Sequence, residues 1–308
     1  MICLALPVLL LAGCRGGRAA EAPAPLRFAV LPILDTLPIY VAEAEGYFEA
    51  EGVAVTLVPA SSAGERDQLL QAGQVDGVIT DLVALSLYNR EVTRVIAVRY
   101  AMTPTAEFAQ FRLLAAPGSG ISEPADLRGV PIGVSECTVI EYVTTKLLLA
   151  EGLGADEIVT LGVPRIPERM ALLSAGELQA ATLPEPLASL AIQQGATLII
   201  DDRVHPEVSG SFYAFTSGTV RTREADVDRF LRAIDRAGTA INADKTRWDS
   251  LLTEQALVPE PLTGSYLLPD YPTGGLPTEA QFADVVEWLQ AAVRLGKGPA
   301  YEDVMREQ

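Results

Sequence analysis

Two α/β lobes of the same construction, each a doubly wound parallel sheet, are predicted by an internal repeat and a steady alternation of strands with helices. The length agrees: 308 residues suit two compact units of ~100–200 residues each. Leu69-Leu70-Gln71-Ala72-Gly73-Gln74-Val75 is echoed by Leu172-Leu173-Ser174-Ala175-Gly176-Glu177-Leu178. Val55–Pro59 is echoed by Val159–Pro164, Phe28-Ala29-Val30 by Ile132-Gly133-Val134, and Glu45-Gly46 by Glu151-Gly152. The offset stays between 103 and 106, as a duplicated unit with small insertions gives.

Each copy reads strand, helix, strand, helix, strand, helix. Leu26–Val30 and Val130–Val134 are short apolar strands, and residues 38–51 and 138–151 are helical stretches closed by Gly52 and Gly152 at their C-termini. Residues 53–58 and 158–163 are rich in β-branched residues and read as second strands. Leu69–Ala72 and Met170–Ala175 end second helices, and Val75–Thr80 and Leu178–Leu183 are third strands. Ser62 with Glu65, and Thr138 with Glu141, fit the capping box that starts a helix, while Pro167 suits a first helical turn. Alternation of this kind implies parallel pairing with right-handed crossovers.

The remaining segments set the boundaries. Phe108–Ala116 is extended and apolar, leading to a crossing at Pro117-Gly118, and the β-rich Ser211–Ser217 crosses back. Residues 26–115 plus 212–308 therefore form lobe I and residues 116–211 lobe II, with 1–25 as leader and linker. Residues 225–243 and 245–256 read as helices with Val227, Phe230, Leu231 and Ile234 at helical spacing. A proline- and glycine-rich segment, 258–277, precedes a last amphipathic helix around Phe282–Leu295.

The formal net charge is −17, from 40 acidic against 23 basic residues. A field of that sign repels phosphate backbones, which argues against nucleic acid as a partner. At the N-terminus, residues 2–11 form an apolar run too short to span a bilayer, which needs ~20 residues, and the run leads to Leu11-Ala12-Gly13-Cys14. This is a secretion signal, and its ending resembles the lipobox of bacterial lipoproteins, which implies acylation of Cys14. No Lys or Arg precedes the apolar run, which points to a true start upstream of Met1. Cys3 would leave with the signal, so Cys137 stands alone and the fold rests on its apolar core and not on disulfides.

Four segments carry a resemblance to a known family. They are Ile39-Tyr40-Val41-Ala42 through Glu45-Gly46-Tyr47-Phe48, Leu70–Asp76 with the strand ending at Asp81, Asp126–Val134, and Trp288-Leu289 through Pro299–Asp303. In order and spacing they resemble the nitrate/sulfonate/taurine and thiamine-pyrimidine-precursor group of periplasmic substrate-binding proteins. The resemblance spans roughly residues 26–304. It implies a type II periplasmic-binding fold closing by hinge motion over one small solute, an ABC permease and ATPase as partners, and a lipid-anchored or periplasmic location. A monomer with no cofactor and no metal is expected. The pyrimidine-precursor branch has a Trp, Asn and His signature near its first strand, where this chain has Leu31–Pro38, so that ligand does not carry over.

Ligands of open α/β sheets bind beyond the carboxyl ends of the strands. The residues placed there are Asp35, Thr36, Ser61, Ser62 and Asp81 in lobe I, and Ser135, Glu136, Thr138, Tyr142 and Glu185 in lobe II. Asp81 and Glu185 stand 104 apart, in equivalent places of the two repeats. Tyr142, with Tyr100 or Phe108, offers a ring for stacking on a flat solute. The rims hold up to four acids, with Arg66 and Arg99 the basic residues nearby. A set of this kind favours a cation or a heterocycle with N–H donors; a small anion such as a sulfonate or nitrate, which wants an arginine fork, is the alternative.

Catalysis is not expected. The chain holds one histidine, His205, beside Pro206, and shows no G-x-S-x-G, no metal-ligand spacing and no P-loop. Asp81 with Glu185 as a carboxylate pair is the one enzymatic arrangement left open.

Overall fold

The computed structural model describes residues 24–306; the apolar leader and Cys14 lie outside them. The chain runs β1 (Leu26–Val30), α1 (Leu37–Ala44), α2 (Tyr47–Glu51), β2 (Val55–Pro59), α3 (Ala63–Gln71), β3 (Gly77–Thr80), α4 (Leu82–Tyr88) and β4 (Val95–Met102). It continues through β5 (Phe111–Ala115), β6 (Pro131–Val134), α5 (Val139–Ala150), β7 (Val159–Gly162), α6 (Ile166–Ser174), β8 (Ala180–Pro184), α7 (Leu187–Gln193) and β9 (Thr197–Asp201). It returns through β10 (Ser211–Thr216), α8 (Ser217–Thr222), α9 (Glu224–Ala243), α10 (Asp249–Glu254), α11 (Glu279–Ala291) and α12 (Tyr301–Val304). The helix expected over 38–51 is two, because the chain turns at Glu45-Gly46 before Tyr47 starts α2.

The strands form two five-stranded sheets, β2-β1-β3-β10-β4 and β7-β6-β8-β5-β9. They have the same plan, and β1, β2 and β3 answer to β6, β7 and β8. Within each, the fourth strand runs against its neighbours: β10 is antiparallel to β3 and β4, and β5 to β8 and β9. Each sheet is thus parallel except for one strand lent by a crossing segment. This moves the first lobe boundary. Phe111–Ala115, placed in lobe I by its position before Pro117-Gly118, pairs with Ala180–Pro184 and Thr197–Asp201 in the second sheet. The first crossing therefore falls in residues 103–110 and the return in 202–210. Turn chemistry at Pro117-Gly118 marks only the end of a strand.

The core follows from the same strands. Phe28 on β1 stacks on Phe230 of α9 at 5.0 Å, and Phe230 stacks in turn on Phe48 of α2 at 5.3 Å. Gly77 at the head of β3 leaves the space these rings need, since a Cβ there would come within 2.7 Å of both Phe28 and Phe215. The apolar cluster around these rings also takes in Leu173, Leu183 and Ala188 of the second lobe. The two lobes are in contact through this cluster.

Candidate functional site

The first strand of lobe I ends in a tight turn, Leu34–Thr36. Thr36 spends its hydroxyl on the Leu31 and Ile33 carbonyls, at 3.0 and 2.6 Å, which fixes the turn and buries Asp35 beside it. Gln110, in the first crossing, donates from Nε2 to Asp35 at 3.4 Å. Its backbone N–H donates to Asp202 at 2.9 Å, and its carbonyl accepts from the Glu185 N–H at 3.0 Å. One residue thus ties Asp35 of lobe I to Glu185 of lobe II and to the return crossing. Burial raises the Asp35 pKa above the ordinary carboxylate value; Ser211 works against this, and the charge of Asp81 adds to it.

Asp81 follows β3 and caps α4, accepting from the Ala84 N–H at 2.9 Å. Burial pushes its pKa up, and the Ala84 N–H and Arg66 only partly offset that. Glu185 follows β8 in the equivalent place. Its carboxylate is 2.7 Å from Arg112 Nε and accepts from the Tyr266 hydroxyl at 3.1 Å. Burial still raises its pKa, against Arg112, Ser189 and Tyr266. Among the buried polar atoms near these acids with no hydrogen-bond partner among the described residues are Thr80 Oγ1, Gln110 Oε1 and the Tyr213 hydroxyl. Buried orphans of this kind are rare in folded proteins, and here Thr80 precedes Asp81 while Tyr213 is close enough to feel the charge of Asp35.

A family model described as NMT1/THI5 like matches residues 34–245, more than half of the chain. The chain belongs to the NMT1/THI5-like family. Among curated proteins none matches its sequence. Among solved structures it is similar to the alkanesulfonate-binding protein SsuA from Xanthomonas axonopodis pv. citri bound to MOPS, at 18% identity and TM-score 0.76, covering 94% of this chain and 100% of that one. It is similar to the periplasmic aliphatic sulphonate binding protein SsuA from Escherichia coli, at 18% identity and TM-score 0.77, over 92% of each chain. The desulfurization enzyme DSZB matches at 18% identity and TM-score 0.70, over 93% of this chain and 97% of that one. At such identities the likeness is one of fold: the periplasmic-binding fold with two α/β lobes.

The other residues expected at the site of this NMT1/THI5-like chain are placed as follows. Ser61 and Ser62 are exposed at the start of α3 and serve Glu65: Ser62 Oγ accepts from the Glu65 N–H, and Glu65 returns its carboxylate to the Ser61 N–H at 2.8 Å. Thr138 caps α5 through the Ile140 N–H and donates to the Ser135 carbonyl at 2.6 Å. Ser135 is buried; it donates to the Pro164 carbonyl at 3.1 Å and accepts from Arg169 at 2.9 Å. Glu136 is exposed, its carboxylate lying over Gly162 at the end of β7. Tyr142 is turned to the C-terminal helix, where its ring meets Trp288 edge-on at 5.4 Å and its hydroxyl donates to Asp284.

Tyr142 also borders a small apolar recess with Leu82, Val83, Val139, Val208 and Val285. Tyr100 packs on Phe212 and Phe108 is in the core, so neither presents a free face. Of the two nearby arginines, Arg66 is paired with Asp67 and Arg99 with Asp235.

Sequence reasoning missed Gln110, Arg112, Asp202, Tyr266 and Tyr271. The last two come from the proline- and glycine-rich segment, where Tyr271 donates to the Leu34 carbonyl at 2.8 Å, next to Asp35. Among the described residues no group of three or more His, Cys, Asp or Glu is placed to hold a metal ion, and no helix is long and apolar enough to cross a membrane.

Proposed function

We propose that this chain is the solute-capturing subunit of an ABC importer, tethered outside the cytoplasm through acylated Cys14 and working as a monomer with a permease and an ATPase. It takes a small organic solute bearing N–H donors or a cationic nitrogen, grips it between the strand tips of the two lobes, and closes over it by bending residues 103–110 and 202–210. The observation that carries this reading is the set of buried acceptors around Asp35: a desolvated carboxylate beside Asp81, with the orphaned Oε1 of Gln110 and hydroxyl of Tyr213 next to it. A nitrogenous solute can donate to the carboxylate and to Gln110 Oε1, which a purely anionic one cannot. Two crossings between rigid lobes suit hinge closure, because few residues need absorb the angle change.

Binding without catalysis is favoured by where the reactive side chains sit. His205 pairs with Glu207 at 3.3 Å in an exposed part of the return crossing, and Cys137 is exposed before α5. The test is thermal unfolding of the full chain with a panel of small amines and N–H heterocycles, each beside its hydrocarbon isostere. A ligand at about 100 times its Kd stabilises by ~2.7 kcal/mol. Nitrogenous members should raise the midpoint, and Asp81→Asn with Glu185→Gln should remove the rise. Stabilisation confined to solutes without N–H donors would sink the reading.

A further inference from the structure

The lobes meet on two flanks, which the alternation of side chains along the second sheet separates. Leu113, Ile132 and Ala180 join the apolar cluster of α5, while the chain neighbours Leu114 and Ala181 join the cluster of α7 on the opposite face. The first flank is built on α11. Phe282 packs in lobe I, its ring 6.0 Å from that of Tyr301, and Val285 and Leu289 are fully buried with Tyr142, Val143 and Leu147 of α5. Asp284 takes the Tyr142 hydroxyl and the Lys146 ammonium, and Arg294 meets Glu141. Gln281 Nε2 donates to the Glu207 carbonyl of the return crossing at 3.1 Å. One helix is thus bound to both lobes and to a crossing.

The second flank is held by a strap, residues 264–271. Its far end is fixed to lobe I: Asn242 of α9 bonds both the N–H and the carbonyl of Tyr271 at 2.8 Å, and the Tyr271 hydroxyl donates to the Leu34 carbonyl. Earlier in the strap, Tyr266 crosses to lobe II and donates to Glu185, whose side chain is 1% exposed. Leu267 beside it is 86% exposed, so the strap runs over the surface. The apolar side chains at this contact, Tyr266 and Leu187, are only partly buried. A recess lined by Leu252, Val258, Gly264 and Tyr266 gives the ring room to swing. A lone hydroxyl on a carboxylate is a directional contact that a small rotation breaks, since hydrogen bonds weaken steeply as they bend. Sealed apolar packing along a helix face costs far more to part. We propose that the cleft opens on one side only, with α11 as the pivot and the Tyr266–Glu185 contact as the catch at its mouth. This rests on the hinge closure proposed above and gives it an axis.

Hydroxyl-radical footprinting and small-angle scattering of the full chain test this with no solute added. Tyr266→Phe removes only the catch. It should raise the oxidation of Tyr271 and Leu187 several-fold, leave Tyr142 and Trp288 at their wild-type rates, and increase the radius of gyration. Arg294→Gln loosens the pivot flank alone: Trp288, which Arg294 covers at 5.3 Å, should oxidise faster, while Tyr271, Leu187 and the radius stay as in the wild type. Faster oxidation of Tyr271 with an unchanged radius would make Tyr266 a local prop and overturn the proposal. So would an Arg294→Gln chain that widens as Tyr266→Phe does, or a Tyr266→Phe chain that matches the wild type. If Tyr266→Phe does not fold, the wild type decides: rising urea should expose Tyr271 and Leu187 before Tyr142 and Leu289, and the reverse order refutes the pivot. If a nitrogenous solute stabilises the chain while these results fail, only the pivot and catch are refuted. If they hold and no such solute acts, the hinge stands and the proposed ligand falls.

Discussion

Asp202 accepts from the backbone N–H of Gln110 at 2.9 Å, so the carboxylate of the return crossing holds the outgoing one. The Phe111 N–H, at 3.1 Å, and the Ser209 hydroxyl, at 2.7 Å, complete its shell. The two strands that pass between the lobes are fastened at one buried acid, and any hinge motion must respect that joint. Burial raises the Asp202 pKa to about 7 against the pull of these donors, and Asp201 adds to the rise.

A pH dependence follows. Because its pKa is raised, folded Asp202 holds its proton where the unfolded chain has lost it, between pH ~4 and ~7. The stability it contributes is therefore complete below pH ~4 and declines as pH rises to 7, by at most about 4 kcal/mol. Asp202→Asn has no proton to lose. Urea unfolding of both proteins should show the variant gaining on the wild type as pH rises through that window. A gap that is constant or moves the other way would place the Asp202 pKa near its ordinary value.

Two substitutions at Asp81 separate its structural and recognition roles. Asparagine can still accept from the Ala84 N–H, so Asp81→Asn should leave stability nearly unchanged, while Asp81→Ala should cost about 1 kcal/mol as a lost helix cap. Both should lose the nitrogenous solute. Calorimetric titration beside chemical unfolding checks this; retained binding in Asp81→Asn would reduce the residue to a cap.

Helix α11 and the turn after it clasp the second lobe. Asp284 on α11 receives the Tyr142 hydroxyl and the Lys146 ammonium, and Arg294 meets Glu141 through two nitrogens at 2.6 and 3.0 Å. Asp284 and Lys146 are partly exposed, so Asp284→Ala should cost only about 1 kcal/mol. Its sharper signature should be faster amide exchange over Glu279–Ala291 with β1–β3 unaffected. Unchanged exchange in α11 would mean that packing of Trp288 and Leu289 holds the helix unaided.

Gly77→Ala should destabilise lobe I by about 1–3 kcal/mol, the usual range for overpacking a core, because its Cβ meets two aromatic rings at 2.7 Å. Denaturant unfolding measures this, and a neutral result would show that Phe28 and Phe215 can shift.

Both lobes were legible in the chain because the repeat leaves its mark in local pattern: β1 with β6, β2 with β7, and β3 with β8 are the same short apolar words. What local pattern cannot carry is pairing across the lobes. Phe111–Ala115 reads equally well as the last strand of one sheet or a member of the other, and only its partners decide. The same limit hid Gln110, Asp202 and Tyr266, whose neighbours are 75 or more residues away for Gln110 to Asp35 and 81 for Tyr266 to Glu185. The capping glutamates slipped by one place for a local reason. Glu65 and Glu141 each reach past the capping residue to the N–H before it, on Ser61 and Cys137, a choice of geometry that sequence spacing leaves open.

The account turns on a solute held between opposed strand tips, and a crystal structure of the full chain purified with its co-bound solute tests that directly. One molecule should lie between β3 and β8, with a nitrogen in hydrogen-bonding reach of Asp35 or Asp81 and contact to Glu185. A solute seated elsewhere on the surface, or bound with no nitrogen near these carboxylates, would contradict it.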